Sequence, residues 1–350
     1  MQQKMYFYRI NCYVCQTIHV IRQNKIHMRW LTSLAFLTLC ATLSAKIYYV
    51  APSGGNDSNA GTNISAPWAT WQKAFDSARA GDTVYFRGGI WYPTTYAIHD
   101  PSSGHGYNGT YNNPICFFNY PGEEPIFDAS RFSGGGGLTI LIDYSTYLKF
   151  RGLTIRNHRQ VGGETVVGMY MSNAGNLYLE RVTSCWNGGH GFQAYGYDTL
   201  YYKNCDSYHN ADTLTGGNTA DGFAGGSGGT ENDTLKIAYY LGCRAWANSD
   251  DGFDLGTTKQ FLISGCWSFQ NGDPSLGPMA EGDGIKTNPS NVRIPGKRRI
   301  EKCISALNTG GAFTHQNLTD EFHGPVVDWV NNTAYKCRNG YIFSNDGFNQ

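Results

Sequence analysis

The sequence predicts an all-β chain, a right-handed parallel β-helix with a short amino-terminal capping helix. Three observations carry this. The motif C-x-x-x-x-N recurs at Cys205/Asn210, Cys243/Asn248, Cys266/Asn271 and Cys303/Asn308, and a Gly-Phe-like pair follows each Asn. Spacings between the Asn residues 187, 210, 248, 271, 308 and 339 run 23, 38, 23, 37 and 31, as expected of a bare coil of 23 residues with loop insertions. The 44 glycines and 14% aromatic residues, without a helical period, suit short strands separated by tight turns.

The chain opens with residues 1–27, an extension with no place ahead of a secretory signal, so Met28 is the expected start. Residues 28–45 have a signal shape. Arg29 precedes the apolar run Leu31–Leu43, and the small residues Ser44 and Ala45 follow. No later run is long enough to span a bilayer, so the mature chain, residues 46–350, is expected to be secreted, without a membrane span, and monomeric. Lys+Arg and Asp+Glu both number 27, which leaves no electrostatic footprint for nucleic acid. Charged residues make up only 15%, which excludes a charge-rich disordered chain.

Within the mature chain, Trp71, Ala74, Phe75 and Ala78 fall at helical spacing in residues 65–80. A helix there, followed by a strand over Thr83–Phe86, would cap the open edge of a solenoid. Strand-like runs follow at Leu177–Val182, Leu235–Leu241 and Gln260–Ser264. Stacking successive coils about 4.8 Å apart aligns identical residues. The Cys column and the column Phe192, Phe223, Phe253, Ile285 and Phe313 then point inward, and the Asn column hydrogen-bonds along the turns. The seven cysteines after residue 45 cannot all pair within one chain. They are expected to be small buried apolar residues, with disulfides between coils as the alternative. The carboxyl-terminal end shows no evident cap, and the domain is expected to be truncated there.

Alignment on the D-G-F triplets places His190, Asp221, Asp251 and Asp283 in one column. Asp250 precedes Asp251, and Asp254 follows three residues later, with Lys286 one coil above it. A positive φ at Gly252 is expected to let Asp251 and Asp254 face one groove. Asp221, Asp250, Asp251 and Asp254 would repel one another unless neutralised. A hard cation with oxygen ligands suits them, and flexible carboxylate coordination favours Ca²⁺. The competing reading is a solvated acidic rim. Beside a dication, Lys286 is expected to have a lowered pKa and to be a neutral proton acceptor; otherwise it is a surface lysine. His190 reads as a turn residue stacked below Asp221 or as a catalytic group. The run Lys297–Arg299, with Arg293, reads as a polymer-binding patch or a solvated loop. Tyr195, Tyr197, Trp246 and Trp267 read as sugar-stacking rings or as core.

The segments NTADGF (218–223), NSDDGFDLG (248–256) and DGIK (283–286) resemble the calcium and base motifs of family 9 polysaccharide lyases. YYVAPSGGNDSNAGT (48–62) and AGDTVYFRGGIWY (80–92) are similar to the cap and first coils of those enzymes. The resemblance implies a β-helix that holds Ca²⁺ through Asp221, Asp250, Asp251 and Asp254, with Lys286 as Brønsted base. It also implies β-elimination on an acidic, galacturonate-containing plant polysaccharide, pectate or rhamnogalacturonan. The base segment here reads GIKTN where the family has a GFKLGG-like sequence. Two other readings stand beside it. One is a β-helical hydrolase of the polygalacturonase type, although GHG precedes the acidic pair here instead of following it. The other is a calcium-stiffened solenoid without catalysis.

Overall fold

The structure, a computed structural model, describes residues 44–133, 137–226, 237–257, 260–287, 298–315 and 327–343. The segment 1–43, with Cys12, Cys15, Cys40 and most of the expected signal, lies outside the described residues, as do Arg293 and Lys297. Among the described residues no helix is long and apolar enough to cross a membrane.

Short strands follow one another around a coil and pair in parallel with the equivalent strands of the next coil. The result is three parallel sheets of ten, nine and nine strands. One coil illustrates the order: Leu177–Glu180 lies in the first sheet, Thr183–Cys185 in the third and Gly189–Tyr195 in the second. The strand over Leu177–Glu180 ends before Val182. Arg181 adopts a left-handed conformation (φ 51°), and Val182 then turns into the core. Gln260–Ser264 forms a strand over the expected residues, and Ile237–Leu241 forms the described part of the third expected run.

The helix is shorter than its periodicity predicts, spanning Trp71–Ser77. The segment before it is used for strand-like pairing, because Trp68 N–H donates to Tyr49 O (2.8 Å) and Ala51 N–H to Trp68 O (2.9 Å). Asp57 accepts from the N–H groups of Ala69 and Thr70, and the Thr70 hydroxyl then caps Lys73 N–H. Trp71 packs against Phe86 and Phe127, and Phe75 against Phe117. The helix therefore covers the apolar amino-terminal end of the coil stack.

The inward columns form as the repeat requires. Phe192, Phe223, Phe253, Ile285 and Phe313 are consecutive register partners and are fully buried. Cys205, Cys243, Cys266 and Cys303 are buried free thiols, with Cys205 donating to Leu179 O and Cys266 to Tyr240 O. Cys116 and Cys337 are free but only partly buried.

Each ladder asparagine from Asn187 to Asn271 donates from Nδ2 to the Oδ1 of the next, at 2.9–3.0 Å. The ladder ends differently from the sequence expectation. Asn308 meets Cys337 Sγ (3.7 Å), whereas Asn339 opens a strand and pairs with Gly311. The last coil step is therefore 308 to 337.

Gly252 also departs from expectation, because its φ is not positive. The residue must be glycine for a different reason. A Cβ there would collide with Ser268 Oγ and lie 2.7 Å from Gly284 O. Gly252→Ala is expected to destabilise the fold by about 1–3 kcal/mol, the usual cost of overpacking, read as a lower urea midpoint. An unchanged midpoint would mean that the neighbouring coil yields at no cost.

Candidate functional site

The site grows from the turns that lead into the second sheet. Asp221 and Asp251 each stand two residues before an inward Phe, at the entrance to strands Phe223–Gly226 and Phe253–Thr257. In this position their carboxylates serve the backbone of the next coil. Asp221 Oδ1 accepts from Asp251 N–H (3.0 Å), Asp251 Oδ1 from Asp283 N–H (2.6 Å) and Asp283 Oδ1 from Gly311 N–H (2.6 Å). His190 begins the ladder, with Asp221 N–H 3.3 Å from its Nδ1. Its reading as a stacked turn residue fits this geometry, and its ring also lines the cleft. Burial lowers its pKa to about 4, so it is neutral near pH 7.

The carboxylates also converge. Asp221, Asp250 and Asp251 each place an oxygen within 4.8 Å of the others. Asp254 stands outside that triple but lines the same cleft, a concavity of about 350 Å³ that also includes Tyr195, Glu281 and Lys286. Asp251 is fully buried beneath it. Asp254 and Lys286 are register partners, as the column alignment predicts. Lys286 Nζ lies 2.6 Å from Glu281, 3.2 Å from Asp251 Oδ2 and 3.5 Å from Asp254 Oδ2.

The electrostatics follow from crowding carboxylates under partial burial. Burial first, then neighbouring carboxylates, push Asp221 and Asp251 well above the usual carboxylate range. Burial pushes Asp250 up to about 6. For Lys286, burial favours the neutral amine, but Asp251, Asp254 and Glu281 outweigh it and hold the ammonium above its ordinary pKa. The neutral amine expected from the sequence is therefore not the state of this cluster by itself. Here Lys286 is the cation that the aspartates surround.

Glu281 was not legible as a site residue. It lies in the loop between ladder Asn271 and Asp283, outside every column. That loop meets the loop after Asn210. Met279 N–H donates to Gly216 O (3.0 Å), and a Cβ on Gly217 would lie 2.5 Å from Gly277 Cα. Asp212, also buried, holds its loop by accepting from Thr215 and Thr219 hydroxyls (2.6 Å each). The paired loops wall the cleft and bring Glu281 over Lys286.

Other sequence candidates separate. Arg298 is buried over the Phe261 ring and so is closed to a polymer, whereas Arg299 is partly exposed and tied to Glu301 (2.7 Å). Tyr197 is core. Trp246 stacks between Tyr208 and Phe269 on the third sheet, away from the cleft. Trp267 is exposed on that sheet, and Tyr195 alone of the four rings lines the cleft.

Comparison with known proteins agrees with this architecture. The chain is 35% identical over 231 residues to "Pectate lyase PEL9" of Emericella nidulans, covering 61% of this chain and 50% of that protein. It is 28% identical over 318 residues to "Pectate lyase L" of Dickeya dadantii, covering 86% of this chain and 68% of that one. The chain thus spans half the length of the fungal relative and about two thirds of the bacterial one. Two solved structures share the fold. A "Rhamnogalacturonan lyase" superposes with a TM-score of 0.67 at 24% identity, over 83% of this chain and 74% of its own. Pectate lyase Pel9A superposes with a TM-score of 0.61 at 22% identity, over 87% and 80%. The family model described as "Pel9A-like, right handed beta helix region" matches residues 48–349, so with its coils, columns and acidic cleft in place the chain belongs to the Pel9A-like right-handed β-helix family.

Proposed function

We propose that the chain is a secreted polysaccharide lyase that cleaves a galacturonate-containing polymer by calcium-dependent β-elimination, with Lys286 as the base. The observation that carries this reading is Lys286 at the cleft floor, with Nζ 3.2 and 3.5 Å from Asp251 and Asp254. The names of the lyase relatives and the apolar segment of residues 28–45 support the substrate class and the export.

The residues fit a hard dication. Asp221, Asp250, Asp251 and Asp254 offer only oxygen donors, and Asp251 Oδ2 is sealed from solvent with no hydrogen bond, facing the Lys286 ammonium. When bound, calcium supplies Lewis-acid stabilisation of the charge that spreads onto the uronate carboxylate. The aspartates would hold the ion. With their charge shared, Lys286 loses its proton more readily and its amine takes the C5 proton of the uronate. The C5–H electron pair becomes the C4–C5 double bond, the C4–O bond breaks, and the departing oxygen takes a proton from solvent. Water is not added across the bond.

Incubation with polygalacturonate or rhamnogalacturonan is expected to raise the ultraviolet absorbance of a 4,5-unsaturated uronate, and a calcium chelator should abolish the rise. New reducing ends without that absorbance would replace elimination with hydrolysis.

A further inference from the structure

A second concavity, of about 420 Å³, opens at the corner where the third sheet turns into the second, and the loop after Asn210 borders both it and the acidic cleft. Its chemistry is the reverse of the cleft. Among the described residues no carboxylate lines it, and its polar groups include Arg159 and Gln160. Trp186 forms its shelf, 55% exposed and stacked on His209 with ring centroids 4.1 Å apart and planes 20° apart.

The core does not require this tryptophan. Trp186 occupies the left-handed position before a ladder asparagine (φ 58°), filled in later coils by His209, Ala247, Gln270 and Leu307. A bulky residue is disfavoured in that conformation, and an indole half in solvent gains little from burial. Arg159, also exposed, has no hydrogen bond or ion pair among the described residues, whereas Arg87, Arg156, Arg244 and Arg299 are all tied to carboxylates. An aromatic face beside an unpaired guanidinium matches a pyranose ring that carries a carboxylate.

We propose that the Trp186–His209 shelf and Arg159 form a second sugar-binding subsite, which holds a uronate unit of the polymer away from the bond that is cut. This rests on the lyase reading for the identity of the polymer. The loop after Asn210 places the subsite next to the cleft, so one chain long enough to pass the loop would engage both.

The test uses galacturonate oligomers of increasing length, with calorimetric binding measured in a Lys286→Ala background that prevents turnover. Trp186→Ala and Arg159→Ala are each expected to weaken binding of long oligomers about five- to tenfold, with little effect on dimers, while Trp186→Phe retains most of the affinity. In the active chain the loss should fall on KM more than on kcat. If both alanine variants bind every length as the parent does, the subsite is overturned. If the parent forms no unsaturated product yet the length-dependent losses persist, the subsite stands and the lyase reading falls. Should Trp186→Ala fail to fold, the exposed and unpaired Arg159 decides the question.

Discussion

Lys286→Ala is expected to lower turnover on polygalacturonate by at least about 10²-fold, the lower range for losing a general base. Its calcium affinity should stay the same or rise. The ammonium stands 3.2 Å from Asp251 and 3.5 Å from Asp254, so its removal leaves two of the four proposed ligands without a competing cation. Lys286→Arg should not restore turnover, because a guanidinium keeps its proton and cannot accept another. Steady-state rates and calcium calorimetry on the same preparations separate the two roles. Near-parental turnover in Lys286→Ala would remove the lysine as base, and a loss of calcium affinity would make it a structural partner of the metal site instead.

The columns were legible because a β-helix repeats one coil in register, so residues at equal offsets from a D-G-F triplet must stack. Asp254 under Lys286 and Phe223 under Phe253 follow directly. What the repeat does not encode was missed. Glu281 sits in an insertion, and its position over Lys286 depends on contact between two loops across an intervening coil. The repeat also does not encode the charge balance at Lys286: without a bound cation, Asp251, Asp254 and Glu281 act as its counter-charges and hold its pKa up. The helix starts at Trp71, the first of the periodic residues, and not at residue 65, because Trp68 ahead of it pairs with the first strand. Asn339 was placed in the ladder on spacing to an asparagine, whereas the ladder position is set by distance along the coil and falls on Cys337. Gly252 lacks the expected positive φ, and what requires glycine there is close approach of the next coil, which a single coil's sequence does not show.

Asp251 is expected to show two separable functions. Its Oδ1 accepts the Asp283 N–H at 2.6 Å, its Oδ2 lies 3.2 Å from Lys286 Nζ, and its carboxylate comes within 4.8 Å of oxygens of Asp221 and Asp250. Asparagine can keep the first interaction and removes the charge that the second supplies; alanine removes both. Loss of a group that only supports a metal ligand costs about 10–100-fold in affinity, so loss of the ligand itself should exceed that range in both variants. Calcium-dependent elimination should disappear with it. The two variants should differ in chelator, where calcium binding contributes nothing. There Asp251→Asn should keep an acceptor for the Asp283 N–H but lose the charge that faces Lys286, so its urea midpoint should fall below the parent's. Asp251→Ala should lose about 1–3 kcal/mol more, the cost of leaving the Asp283 N–H buried without an acceptor. Parental calcium affinity in the asparagine variant would remove Asp251 from the metal site. Equal midpoints for the two variants in chelator would remove it from the backbone ladder. The acidic column would then be explained by metal binding alone, instead of by carboxylates that hold adjacent coils in register and also serve the site.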